Sequence, residues 1–248
     1  PANLLADFQS GLVWTADRIF THILDNEVTF ESDRMITGCT HRREWVERTY
    51  YFAIEFDKPI ISSEQLEPRD PREKAPRYIL TFDMQDDPTL QMKIAMSTTG
   101  VEGAKKNLAA EVNGWDFNEV HQNAKEAWNN YLSRVEIEGT QDDKVNFYTS
   151  IYHLYIQPNN IADVDGRYVG PSREIAQSTT GKHYSTLSQW DTFRAAFPMY
   201  TILSPEIISD LVNTFVDYSG QKGHLPIWAL MGQETYTMIS NHSISMIV

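Results

Sequence analysis

The apolar residues of this 248-residue chain change their period once along its length, and that change limits the possible folds more than any other feature. Through about residue 97 the period is two, the repeat of a strand whose alternate side chains face one side. Tyr50, Phe52, Ile54 and Phe56 alternate with Tyr51, Ala53, Glu55 and Asp57. Tyr78, Leu80, Phe82 and Met84 form a second set, and Leu90, Met92, Ile94 and Met96 a third. The pattern predicts half-buried antiparallel strands, with Asp86-Asp87-Pro88 as the turn between the last two. The charged, proline-bearing stretch from Ser62 to Pro76 reads as a surface loop.

After about residue 114 the period is 3.6. Asp116-Phe-Asn-Glu119 resembles a capping box, and Phe117, Val120, Ala124, Ala127 and Tyr131 follow at helical spacing, predicting a connecting helix over 116–133. Arg134 to Glu138 reads as a short strand. Val145, Tyr148, Tyr152 and Tyr155 form a second helical face, and Ser204-Pro205 starts a third helix, through Ile208, Leu211 and Phe215, that closes at Gly220. Strands followed by helices predict an α+β chain of two domains rather than an alternating α/β sheet. The expected division is a β domain over 1–113, a linker helix and short strand over 114–139, and a helical domain from 140 to 248.

Charge and composition remove several function classes. Lys and Arg number 21 against 34 Asp and Glu, a formal charge of −13, which is the wrong sign for holding nucleic-acid phosphates. No window approaches 18 uninterrupted apolar residues, so no membrane span is expected. The N-terminal residues have no basic region leading into an apolar run. Cys39 is the single cysteine, which excludes an intrachain disulfide and a cysteine zinc cluster. No GxGxxG or GxxxxGK[ST] array occurs, and the seven histidines are too dispersed for a local ligand pair.

Four segments could carry chemistry. Asp163-Val-Asp165-Gly166 opens like a calcium loop, but Arg167 stands where the fifth position needs an oxygen ligand, so a turn is the simpler reading. Ser188-Gln-Trp190-Asp191-Thr-Phe-Arg194 places an indole, a carboxylate and a guanidinium within seven residues. That mixture suits a sugar, whose apolar face stacks on an aromatic ring while charged groups take paired hydroxyls. It equally suits a buried tryptophan beside an ion pair. Leu225-Pro-Ile-Trp228 leads through Gly232-Gln-Glu234-Thr235 into an apolar stretch expected to be helical to the end of the chain, with Glu234 near its start and Asn241 on the same face. A glutamate there ordinarily complements the helix dipole. Asn241-His-Ser243 matches a glycosylation sequon, and on an expected amphipathic helix coincidence is the simpler reading.

These residues resemble glycoside hydrolase family 92, the calcium-dependent exo-α-mannosidases. The resemblance runs through Asn146-Phe-Tyr-Thr-Ser-Ile-Tyr-His to Pro158-Asn159, then Asp163 to Tyr168, Ser188 to Arg194, Leu225 to Trp228, and Gly232-Gln-Glu-Thr235 with Met238 and His242. Weaker similarity extends through Asn113-Gly-Trp-Asp-Phe and Val101-Glu-Gly-Ala back to about Arg34. The resemblance implies a partial N-terminal β-sandwich, a linker helix and part of an (α/α)6 barrel. It implies an inverting hydrolase, α-1,2 linkages first, that removes terminal mannose from mannose-rich glycans with one carboxylic acid and one base ~6.5–9.5 Å apart. Carried over by motif, Glu234 is the general acid and Asp191 the mannose-hydroxyl ligand, with Trp190 and Arg194 supporting it. Gln233 departs from an asparagine expected in many relatives.

The resemblance also implies Ca2+ as cofactor, held mostly by residues outside this chain, and places the base downstream and part of the sandwich upstream. The isolated chain is therefore expected to be inactive, and to depend on the remainder of the same polypeptide or on complementary chains. Family habit implies a secreted, periplasmic or cell-surface bacterial protein. The rival readings are a non-catalytic glycan-binding or assembly subunit, and another (α/α)6 glycosidase.

Overall fold

The computed structural model describes residues 1–10, 22–239 and 241–248. The chain forms two compact units, Pro1–Trp115 and Asp116–Val248.

The first unit holds strands β1 (Ala2–Asp7), β2 (Ile23–Phe30), β3 (Met35–Arg43), β4 (Glu47–Phe56), β5 (Ile60–Gln65), β6 (Arg77–Phe82) and β7 (Met92–Ser97), then helix α1 (Val101–Glu111). They make two antiparallel sheets, ordered β1-β6-β5 and β2-β3-β4-β7. The residues of period two do the joining. Ile36, Phe56, Leu80 and Phe82 are fully buried between the sheets, with Phe8, Phe52 and Tyr78 packed around them. On the other face of the four-stranded sheet, Ala53 and Ala95 receive Ala104 and Leu108 of α1, small side chains that let the helix lie close.

Three expectations are corrected here. The turn at Asp86-Asp87-Pro88 does not join a hairpin, because β6 belongs to one sheet and β7 to the other. Met92, Ile94 and Met96 have the predicted alternation, yet they are about half exposed, and Ala95 and Ser97 are the buried residues of β7. By register they lie opposite Phe56, Ile54 and Phe52, on the sheet's inner face, so period alone gave the face and not the exposure. Ser62–Pro76 is only partly loop: the exposed edge strand β5 runs on to Gln65, and within the loop the Glu73 carboxylate, 2% exposed, pairs with Arg69 and Arg77.

The second unit begins with α2 (Phe117–Leu132) and α3 (Gln141–Tyr155). Asp116 caps α2 by accepting from the Asn118 and Glu119 N–H groups. Thr140 and Asp143 form a full capping box on α3, which the periodicity did not show. Trp128 packs on Tyr152 and Tyr131 on Tyr155, with ring centroids 4.5 and 4.9 Å apart. The short strand expected at Arg134–Glu138 does not form. Its polar groups are engaged elsewhere: the Arg134 guanidinium donates to the Leu203 carbonyl, Ser204 Oγ and Glu206, and Tyr148 donates to the Val135 carbonyl.

Short strands follow: β8 (Asn159–Asn160), β9 (Arg167–Val169), β10 (Ile175–Gln177), β11 (Tyr184–Ser185) and β12 (Leu187–Ser188). Asp163 to Gly166 is the turn that leads into β9, with the Gly166 N–H on the Asp163 carbonyl at 2.7 Å. Then come α4 (Gln189–Thr192), α5 (Ala196–Leu203), a 3-10 turn over Pro205–Ile207, α6 (Ile208–Lys222), β13 (Trp228–Leu230), β14 (Gln233–Glu234) and α7 (Ile244–Ile247). Helix α6 runs past Gly220 and ends at Gly223, whose φ of 82° supplies the left-handed cap. Ser204 does not cap its helix; its hydroxyl serves Arg134 and Tyr155 instead. The core of this unit gathers Leu187, Phe197, Tyr200, Leu211, Phe215, Tyr218, Ala229 and Met246.

Candidate active site

The sequence separates Ser188–Arg194 from Leu225–Thr235 by two helices, α5 and α6, and one small sheet joins them. Strand β13 pairs with β12 on one side and β14 on the other, setting Leu187 opposite Ala229, Ser188 opposite Trp228, and Glu234 opposite Ala229. Gln189, buried, faces the Ile227 and Leu187 carbonyls, so its amide nitrogen is the atom directed at them, 2.8 Å from each. Phe193 packs against His242, ring centroids 4.3 Å apart and tilted by 37°, tying the C-terminal residues to the same motif.

The expected helix at Glu234 is absent, and this is the main correction at the site. Met231 and Gly232, both with positive φ (55° and 80°), close a two-residue hairpin between β13 and β14. Glu234 therefore sits on a strand. Tyr236 (φ 54°) and Asn241 (φ 80°) interrupt any helical run, and α7 covers only Ile244–Ile247. Residue 240, within the predicted helix, lies outside the described residues. The Glu234 side chain instead accepts from backbone N–H groups before and after the hairpin turn.

Its carboxylate is 9% exposed and well supplied with donors. Oε1 accepts from the N–H groups of Trp228 (2.9 Å), Thr235 (3.0 Å) and Tyr236 (3.2 Å). Oε2 accepts from the Ile227 N–H (2.8 Å) and the Tyr218 hydroxyl (3.3 Å). Burial, and then the neighbouring Glu234 charge, push the Tyr218 pKa up, so Tyr218 remains a donor. The helix dipole expected to act on Glu234 is thus replaced by individual N–H groups that serve the same charge.

Asp191 is exposed at the end of a one-turn helix and accepts a short hydrogen bond from Ser188 Oγ. Arg194 lies over the Trp190 ring at 4.8 Å and over Phe193 at 4.9 Å, a stacked guanidinium rather than the partner of Asp191. Among the described residues no hydrogen bond links Asp191, Trp190 or Arg194 to Glu234; the shared sheet brings the two motifs together. Thr186, at φ 61°, is a strained β-branched residue directly before β12.

Tyr218 and the Ile227 donor escaped the sequence reading. Tyr218 lies 16 residues before Glu234 and looks like another core aromatic of α6, so no local spacing could have marked it. No group of three or more His, Cys, Asp or Glu among the described residues is placed to hold a metal ion. The side chains of the described residues therefore do not compose a calcium site.

The model of the glycosyl hydrolase family 92 catalytic domain matches residues 103–248, well over half of the chain, and the chain belongs to that family. The solved structure of the family GH92 α-mannosidase BT3965 from Bacteroides thetaiotaomicron superposes with a TM-score of 0.81 at 26% identity, covering 88% of this chain and 32% of its own. The same protein in complex with mannoimidazole gives 0.80. The family GH92 inverting mannosidase BT2199 of that organism gives 0.79 at 28% identity, covering 89% of this chain and 32% of its own. The chain thus spans about a third of the length of these structures. No curated protein matches it in sequence. The fold class is α+β, with an N-terminal antiparallel sandwich and then helices belonging to an (α/α) barrel. Among the described residues no helix is long and apolar enough to cross a membrane.

Proposed function

We propose that the polypeptide carrying this chain is an inverting exo-α-mannosidase that removes terminal mannose, α-1,2-linked by preference, from mannose-rich glycans outside the bacterial cytoplasm. The observation that carries the reading is the β12-β13-β14 sheet, which joins the two motifs of a family 92 chain and presents one exposed and one buried carboxylate from them. The mannoimidazole complex of BT3965 and the inverting mannosidase BT2199 support mannose and inversion as the substrate and outcome.

In this reading Asp191, poised by Ser188, takes sugar hydroxyls, and the indole of Trp190 offers the face not covered by Arg194 to the pyranose. Glu234 protonates the leaving oxygen. Its Oε1 is fully occupied by three N–H donors, which leaves Oε2 to carry the proton. The opposing base belongs to other parts of the polypeptide, so the 248 residues alone would show no turnover. Calcium enters through the family alone, since the described residues form no cluster for it.

The test is mannose release from an α-1,2-mannobiose, followed by proton NMR from the first turnover. Inversion at an α-mannoside delivers β-mannose first; release of α-mannose, or no release by the polypeptide in which this chain naturally occurs, removes the reading.

A further inference from the structure

We infer that Tyr218 is a positioning residue for Glu234, holding Oε2 as the single carboxyl oxygen able to gain and lose a proton. The inference rests on the acid role proposed above and adds to it the group that controls the acid.

The geometry separates the two oxygens. Three N–H groups converge on Oε1 at 2.9 to 3.2 Å, and a backbone N–H cannot reverse its direction, so a proton placed on Oε1 would face donors. Oε2 has one fixed donor, the Ile227 N–H, and one adjustable donor, the Tyr218 hydroxyl. A hydroxyl turns about its C–O bond; it donates to the carboxylate and turns aside when Oε2 is protonated, so that the proton passes to the leaving oxygen and the hydroxyl donates again to the carboxylate left behind. At 3.3 Å this contact is the longest of the five.

Tyr218 is itself held firmly. It is 1% exposed on α6, one turn beyond Phe215, in the core that also contains Leu187 and Ala229 of the same sheet. The phenol position therefore follows from the packing of α6 in that core. The titratable groups facing it are Glu234, Tyr236 and His224, whose ring stands 6.1 Å from both tyrosine rings. None of the three approaches the phenol oxygen with a hydrogen bond except Glu234.

The test compares Tyr218→Phe with the unaltered protein, in the polypeptide in which this chain naturally occurs. Two substrates are used, a mannobiose that needs protonation of its leaving group and an aryl α-mannoside with an activated leaving group that does not. Loss of the hydroxyl should lower kcat on mannobiose by ~10–100-fold, a fraction of the full general-acid contribution, with KM within about twofold by the same argument. The aryl substrate should turn over at close to the unaltered rate. Because a lost donor favours the protonated carboxyl, the alkaline limb of the mannobiose pH profile should move to higher pH. Replacing Tyr218 with 3-fluorotyrosine, nearly isosteric and a stronger donor, should move it to lower pH, which keeps the test open if the phenylalanine variant folds poorly. Equal losses on both substrates, or an unmoved limb in both variants, would overturn the inference. Glu234→Gln at full rate on mannobiose would overturn the acid role and this inference together, whereas a dead Glu234→Gln with an unmoved Tyr218 profile would overturn the inference alone.

Discussion

Glu234 and Trp228 are bound side chain to backbone across a hairpin in which they are not ladder partners. The carboxylate Oε1 accepts the Trp228 N–H at 2.9 Å, while the strand register sets Glu234 opposite Ala229. The side chain therefore folds back along its own hairpin, and one residue both closes the turn and belongs to the candidate site.

That double role gives the first prediction. In Glu234→Gln, the amide can present only one acceptor oxygen to five donors, and its NH2 faces some of them. Stability should fall by ~1–3 kcal/mol, read as a lower urea midpoint. Activity on mannobiose should fall by ~10²–10⁴, far more than on an activated aryl mannoside. A variant as stable as the parent would contradict the hydrogen-bond pattern independently of any activity.

The second prediction concerns Gly232. Its φ is 80°, and a Cβ there would lie 2.7 Å from the Val169 carbonyl oxygen, a backbone atom that cannot step aside cheaply. Its N–H also donates to the buried Ser185 hydroxyl at 2.6 Å. Gly232→Ala should cost about 2–3 kcal/mol, combining left-handed strain with the close contact. Chemical denaturation reads the cost, and a loss below half a kilocalorie would refute the turn geometry.

A pH effect on folding follows from His183. Its ring is fully buried and stacked on Tyr168 at a centroid distance of 3.6 Å, and among the described residues neither ring nitrogen has a hydrogen-bond partner. Burial lowers its pKa to about 4 from an ordinary 6.5. Between those values the unfolded chain binds the proton and the folded chain does not. Folding stability from this residue is thus fully present above pH 6.5 and is lost as pH falls toward 4, by ~3 kcal/mol in total. Urea titrations at pH 7 and pH 4.5 should show this loss in the parent and a smaller one in His183→Phe. Identical pH dependence in both would show that the imidazole is reached by solvent or a partner.

Thr140 provides a local check on the helical unit. Its Oγ1 accepts the Asp143 N–H at 3.2 Å, and the Asp143 carboxylate accepts the Thr140 N–H at 3.0 Å. The hydrogen bonds to Thr140 also lower the Asp143 pKa. Thr140→Ala should destabilise by about 1 kcal/mol, and the loss should shrink at low pH as Asp143 becomes protonated. A pH-independent loss would place the effect elsewhere.

By itself, the sequence determined what depends on near neighbours. The change of period located β4, β6, β7, α2, α3 and most of α6, because alternation and 3.6-residue repeats report which side of an element meets the core. Asp116 capped its helix, and the Asp163–Gly166 turn formed, because each is a contact within four residues. The motifs also carried the family. Only the tertiary structure decided which strands paired, since β6 and β7 are consecutive yet join different sheets. It alone put Met92, Ile94 and Met96 at an uncovered edge. It placed Glu234 on a hairpin instead of a helix, because five donors from Tyr218, Ile227, Trp228, Thr235 and Tyr236 converge on that carboxylate, and no periodicity records where a side chain's hydrogen-bond partners come from. The physical reason is range: propensity and period act over a turn or a strand, whereas the site is made by strand pairing and side-chain hydrogen bonds between segments tens of residues apart.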